Sequence, residues 1–472
     1  MQQGVEDRFG LDLCTSSTLA AEHYVEGVDL MLSRNYGSEE EFDQAIEADE
    51  GFAVAHASKA MMLFYRGKGA DAKANAERAV TLSSGASRRV QGYAEAVSLY
   101  VNGEGPRALA RAREHMNEFP RDAMALQLAH RLLVMGCSVA GVQNFPPEML
   151  GFLKALEPEY GDEWSFLGNY AFAHHESGLF DEALRLAERS LELRPDNANA
   201  SHSVAHVFFE RGDHVTGQDF LGNWLEGYDS RAPFHVHLSW HEALFELAEG
   251  RYERALGLYN DSIRPSVVAK SPISMADSCS LMWRLQIYGG SPPPMPWEEI
   301  RDQVAPALSG KGPAFGVAHA AMACAASGDD EAWNQMIDGI KGLASDGNLL
   351  ASEVTLPLVK GIGAFAQGDY AESARLIGPI HSQFVRLGGS HAQREVFEDT
   401  LLAAYMRSEQ YDKAEDMLRE RLSQRTSVRD TLWLSNVQAN TGQTEAASAS
   451  VNDVKQRWQN ADADSPEIVA LG

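Results

Sequence analysis

The sequence predicts an all-α chain, a solenoid of paired helices wound into a superhelix with a concave inner pocket. Three observations carry that prediction. Gly178 and Gly212 lie 34 residues apart and punctuate runs of helical apolar period. The residues after these glycines open a second helix in the same way each time, as in Phe180 to Ala183 and in Arg251 to Leu256. No segment alternates apolar and polar residues between hairpin turns, so no strand competes.

Taken in order, residues 1–15 form an N-terminal extension and the helical array runs from 16 to 458. Gly67 with Ala72, Gly103 with Ala108, and Gly136 mark the early repeats. A Pro-containing stretch at 144–161, with Pro146, Pro147 and Pro158, reads as a long connection that interrupts the array. Trp164 to Asn197 is one complete unit: Gly178 turns the chain, Ala183, Leu184, Ala187 and Leu191 stripe the second helix, and Pro195 ends it. This 34-residue pattern resembles the tetratricopeptide repeat. Gly250 follows Gly212 by 38 residues, the excess falling in the loop from Tyr228 to Pro233. A second interruption at 289–297 contains Gly-Gly-Ser-Pro-Pro-Pro-Met-Pro, which no helix crosses. Gly328 with Trp333, Gly368-Asp369-Tyr370 and Gln410 to Ala414 mark later repeats. Residues 459–472 form an acidic tail expected to fray.

Composition narrows the function classes. Forty Lys and Arg against 67 Asp and Glu leave a formal charge of −27. Such a field repels phosphate backbones and anionic headgroups, so neither nucleic acid nor membrane is expected as a partner. No apolar run reaches the ~18 residues of a membrane span. The first residues lack the basic and apolar regions of a secretory signal, and the default expectation is cytoplasmic. Cys14, Cys137, Cys279 and Cys324 are scattered without CxxC spacing, so reduced thiols are expected rather than a disulfide framework.

The histidines are the feature a plain scaffold does not need. His202 with His206, and His237 with His241, form two HxxxH pairs, each on one helix face. With the inter-helix glycine at position 15, the tetratricopeptide resemblance places positions 2, 5, 9, 12 and 13 of the first helix on the concave face. Counting puts His202 at 5, His206 at 9, His237 at 2, Trp240 at 5 and His241 at 6. His175 and Glu176 fall at 12 and 13, His130 at 9 and His319 at 6. His174 at 11 reads as core, whereas His56, His115 and His214 read as surface or inter-repeat residues. Imidazole at this density can ligate a divalent metal, exchange protons near neutral pH, or donate to an anionic ligand. Glu176 or Asp277 could complete a ligand set. HxxxH without an adjacent Glu is a weak metal signature, and HExxH does not occur.

Several segments together resemble the tetratricopeptide repeat protein 38 family. They are His202 to Val207, His237 to Leu244, Ala276 to Leu281, Leu387 to Phe397, and Pro120-Arg121-Asp122 with Leu126 and His130. The likeness runs from about Leu11 to Trp433. It implies a tetratricopeptide-like α-solenoid without a settled general activity. It carries functional positions onto His130, Glu176, His202, His206, His237, Trp240, His241, Asp277, His319, Gln393 and Arg394. His175, His391, Glu395 and Val317 depart from the family's usual residues.

Two functions follow as alternatives. In one, His202, His206, His237, His241 and Glu176 act on a small polar or anionic ligand, with catalysis, hydrolytic or metal-dependent, left open. His202, His206, His237 and His241 would then ligate a divalent metal. Trp240 would stack on the ligand, Gln393 and Arg394 would fix a carboxylate, and His130, Asp277, His319 and His391 would complete the pocket. In the other, the array is a non-catalytic scaffold that holds a peptide or partner. A third reading is purely structural, the histidines joining repeat to repeat. Oligomeric state is not legible.

Overall fold

The computed structural model describes residues 5–289 and 294–471. Helices follow one another from Thr18–Leu32 to Pro466–Leu471. Among the described residues there is no strand, only an isolated bridge between Glu6 and Asp12. The architecture is a helical-repeat solenoid of tetratricopeptide type. No helix among the described residues is long and apolar enough to cross a membrane.

One turn geometry generates the repeats. At the end of Trp164–Glu176, the Gly178 N–H donates to the His175 carbonyl (2.9 Å) and the Leu179 N–H to the His174 carbonyl (2.9 Å). This is a Schellman motif, and it requires the left-handed φ of +75° at Gly178. The same pair of bonds recurs around Gly67, Gly103, Gly212, Gly250, Gly368 and Gly442. Three turns build it without glycine: Arg34 (φ +65°), Lys270 (φ +55°) and Glu409 (φ +60°) occupy the left-handed position themselves.

The helices of a pair are buried differently. The second helix Phe180–Leu193 buries one stripe, Ala183, Leu186, Ala187 and Ser190, as an amphipathic surface helix does. The first helix Trp164–Glu176 is buried at every residue from Ser165 to His175. Its polar residues are therefore internal and must be satisfied there.

The chain divides into two compact units. One comprises Met1–Val204 with Tyr228–His235; the other comprises Ala205–Gly227 with Val236–Gly472. In the first, the extension is pinned by Arg121 Nε donating to the Phe9 carbonyl (3.1 Å) and by Thr15 donating to Asp49 (2.6 Å). The stretch 144–161 is not a loop. It is the helix Phe145–Tyr160, with Phe145, Met149, Leu153, Leu156 and Tyr160 buried on one face. Its first prolines stand at the helix start, where the missing N–H costs nothing, and Pro158 lies in the last turn.

In the second unit, the expectation for 289–297 falls largely on residues 290–293, outside the described residues. The helix Trp297–Gln303 begins directly after it. The acidic tail docks instead of fraying. Ile468 and Leu471 pack on Val428, Val454 and Trp458. Glu467 pairs with Arg429 and accepts from Tyr252 Oη (2.5 Å), so a charge that looked solvated has a buried partner.

Candidate functional site

The imidazoles of the second unit form one contiguous group. His237, Trp240 and His241 stand on the helix His235–Ala248, and His206 on Ala198–Arg211. The ring centroids of His206 and His241 are 4.4 Å apart, and those of His237 and His241 are 4.8 Å apart. Nitrogens of His206 and His241 lie within 4.8 Å of one another, so a small ring movement would bring both to the roughly 2.0–2.1 Å at which one cation binds imidazole. His206 and His241 are both 0% exposed. His202 precedes His206 by one turn of the same helix, the i, i+4 relation that puts both on one face.

A second layer orients these rings. His237 Nδ1 is 3.0 Å from Asp277 Oδ2, and the carboxylate is itself buried on the helix Met275–Gly289. A carboxylate on one ring nitrogen fixes the tautomer and the orientation of the ring. Trp240 does not offer an open face for stacking on a ligand, as the sequence had led us to expect. It is 0% exposed, stacks on His237 at 5.4 Å, and lies 5.9 Å from the Arg284 guanidinium. Its Nε1–H donates to Ser280 Oγ (3.1 Å), a partner that the sequence did not single out.

The family-motif residues at Gly388 to Arg394 also hold local structure. Gln393 closes a capping box: its side-chain oxygen accepts from the Ser390 N–H (3.1 Å). Arg394 is buried and donates to the Gly389 carbonyl. A Cβ on Gly389 would sit 2.3 Å from the Phe315 ring, which explains the glycine at that place. His391 is partly exposed, with Nδ1 2.9 Å from Glu210 Oε1; Glu210 raises its pKa above the ordinary value, against the opposing effect of burial. His319 is fully buried between Phe315 and Phe397, donates to the Phe315 carbonyl (2.8 Å), and is pushed down to about 4 by burial.

In the first unit, Glu176 accepts from His175 Nε2 at 3.1 Å. His130 sits edge-on to Phe172, and burial first, then Arg34, hold it down to about 3. Both His130 and His319 are therefore neutral near pH 7 and available as nitrogen donors, not as proton stores. His202 stacks on Phe172 (5.8 Å, 15°) and meets Phe234 edge-on (5.0 Å). The motif Pro120-Arg121-Asp122 is a fold element: Asp122 caps its helix at Ala125 and pairs with Arg89 (2.9 Å) and His115 (3.0 Å). His115 is accordingly an internal inter-repeat residue. An amide chain unnoticed in the sequence runs beside these groups, from Asn199 to Asn169 (2.9 Å) and from Asn169 to Gln127 (3.3 Å).

Three or more arginines border each of two cavities. One, in the first unit, holds ≈ 50 Å³ and is bordered by Arg34, Arg131, Tyr65 and Phe234. The other, in the second unit, holds ≈ 40 Å³ and is bordered by Arg284, Arg421, Arg425 and Arg429 with Glu395 and Asp430.

No protein family's sequence model matches the chain. Among solved structures it is similar to a human IFIT1 dimer with m7Gppp-AAAA, at 12% identity over 97% of this chain and 98% of that one, TM-score 0.37. It is also similar to a monomeric IFIT1 mutant with Gppp-AAAA, at 12% identity over 96% and 98%, TM-score 0.38. Yeast Tom70 gives 12% identity over 96% and 94%, TM-score 0.35. One expectation is corrected: the exclusion of nucleic acid rested on net charge alone and is withdrawn. Physically, −27 is a sum over the whole surface, and it does not fix the potential inside any one groove.

Proposed function

We propose that the chain binds a small polar ligand through its histidine cluster, with a divalent metal held by His206 and His241. The observation that carries this reading is burial: His206 and His241 share a fully buried site at ligand spacing. Extended peptides bind on exposed surface, which such residues do not reach, so a peptide would not engage them directly. Neutral imidazole nitrogens suit zinc, copper, nickel or iron better than calcium or magnesium. His237, aligned by Asp277, would complete the metal set or carry a proton beside it. Hydrolysis at a metal-bound water is one chemistry such a site supports. We also place the chain in the tetratricopeptide repeat protein 38 family, on its own segments from His202 to Val207 and Leu387 to Phe397. The four cysteines are all free thiols, which accords with a cytoplasmic setting.

Metal analysis of untagged protein tests the site. Stoichiometric transition metal in the unaltered chain, lost in His206→Ala/His241→Ala with helical content retained, is the expected result. Equal, sub-stoichiometric metal in both proteins would sink it.

A further inference from the structure

The first unit contains a cavity that the histidine cluster does not use. Its ≈ 50 Å³ exceeds the roughly 10–15 Å³ that a single water needs. Three arginines border it and no carboxylate does, in a chain of net charge −27. Arg66 pairs with Glu39. Arg34 and Arg131 have no ion-pair partner among the described residues. Instead both guanidiniums lie over the Tyr65 ring, at 5.6 Å and 4.1 Å from its centroid. Arg131 donates Nε to Tyr100 Oη (2.7 Å), while the buried Nε of Arg34 has no hydrogen-bond partner. Leu30, Met31, Met61 and Phe234 give it apolar walls, and Asn35, Ser38 and Gln127 add neutral polar groups.

Two irregularities of the repeat pattern converge here. Arg34 stands in the left-handed turn position that glycine holds in most other repeats, at a steric cost that glycine does not bear. The extra residues between Gly212 and Gly250 supply the segment Tyr228–His235, which belongs to this unit. From it Phe234 closes one wall, 5.3 Å from the Arg34 guanidinium, and Tyr228 Oη donates to the Arg34 carbonyl.

We propose that this cavity binds a small organic carboxylate carried on an apolar body. The carboxylate would lie between Arg34 and Arg131, in the forked geometry that guanidinium offers. The apolar body would rest on the methionines and Phe234. The positive field is already felt nearby, since Arg34 adds to burial in holding His130 neutral. The site stands independently of the metal reading.

Calorimetric titration of the full chain with hexanoate, 1-hexanol and inorganic phosphate tests it. Hexanoate should bind about tenfold or more tightly than either control, because only it satisfies both guanidinium and apolar wall. Arg34→Gly should fold with an unchanged or higher Tm and bind hexanoate at least about tenfold more weakly. Arg34→Gln keeps the left-handed residue and most of the stem, and should lose binding equally. The proposal is overturned if the unaltered chain does not bind hexanoate, if phosphate or hexanol binds as well, or if either variant binds as before.

Discussion

Arginines gather in two places, one in each unit, and they are held in opposite ways. In the second unit Arg421 contacts Glu395 (3.1 Å), Asp399 (2.9 Å) and Asp430 (3.0 Å). Arg425 pairs with Glu395, Arg429 with Glu467, and Arg284 lies 3.6 Å from Asp399. Every cation there has an anion beside it, and the pairs join the helices His391–Arg407, Tyr411–Gln424 and Val428–Asn440. In the first unit Arg34 and Arg131 border their cavity with aromatic rings and no carboxylate. Acids are not lacking in that unit, since Arg89 pairs there with Asp122. The contrast teaches that an arginine-lined cavity is not in itself an anion site. Compensation decides: the second cluster is a weld, and the first is a receptor.

The largest expected effect breaks the weld. Arg421→Met leaves Glu395, Asp399 and Asp430 with too little positive charge in a buried setting. Removing one partner of a buried pair costs about 3–5 kcal/mol. Urea denaturation should show a loss of that size. The Arg34→Gly variant should show no comparable loss. If Arg421→Met were as mild as Arg34→Gly, the distinction between weld and receptor would fail.

A smaller, pH-dependent effect tests burial that a nearby cation, Arg254, offsets only in part. Glu242, beside His241 in sequence, is pushed up to about 7, first by burial and then by Glu246. Folding therefore tightens its hold on a proton relative to the unfolded chain. Stability falls as pH rises from the ordinary 4.5 through about 7, and the full penalty applies above that. Glu242→Gln removes the penalty. The variant should exceed the unaltered protein by about 1 kcal/mol at pH 8.5, a figure discounted for partial exposure. At pH 4 the two should melt alike. A gain that is the same at both pH values would point to packing instead of charge.

Much of this arrangement was legible in the residues. Turn glycines and helical period give the repeat, because both are local requirements of the backbone. The two HxxxH pairs gave the imidazole cluster, because i, i+4 spacing is fixed within a helix. The helix Phe145–Tyr160 was missed although its apolar residues recur at helical spacing; three prolines outweighed them, and two stand where a helix tolerates proline. Trp240 was misread for another reason: a counted position does not show which neighbour fills the space beside it. Trp240 meets His237 and Ser280. The arginine cavity had a signal that went unused. An arginine where the turn calls for glycine, and a spacing of 38 in place of 34, both depart from the pattern at the residues that build it.

The smallest effect sharpens the comparison most. Glu409 holds the same left-handed turn position as Arg34, at φ +60° against +65°. Its turn makes the same bonds, Glu409 N–H to the Met406 carbonyl and Gln410 N–H to the Tyr405 carbonyl. Its side chain is not among those bordering a cavity described here, so strain is all that a change to glycine relieves. Left-handed backbone costs an L-residue about 1–2 kcal/mol, and the freer unfolded glycine chain takes back part of the gain. Glu409→Gly should therefore stabilise the protein by about 0.5 kcal/mol, read as a small rise in urea midpoint at constant slope. That value calibrates Arg34→Gly. An equal gain at Arg34 means that its guanidinium contributes nothing to folding and leaves ligand binding as the reason for its retention. A net loss at Arg34 beside a gain at Glu409 would mean that the contacts of Arg34 with Tyr65 and Phe234 hold the fold, and the first cavity would then be a second weld built from rings.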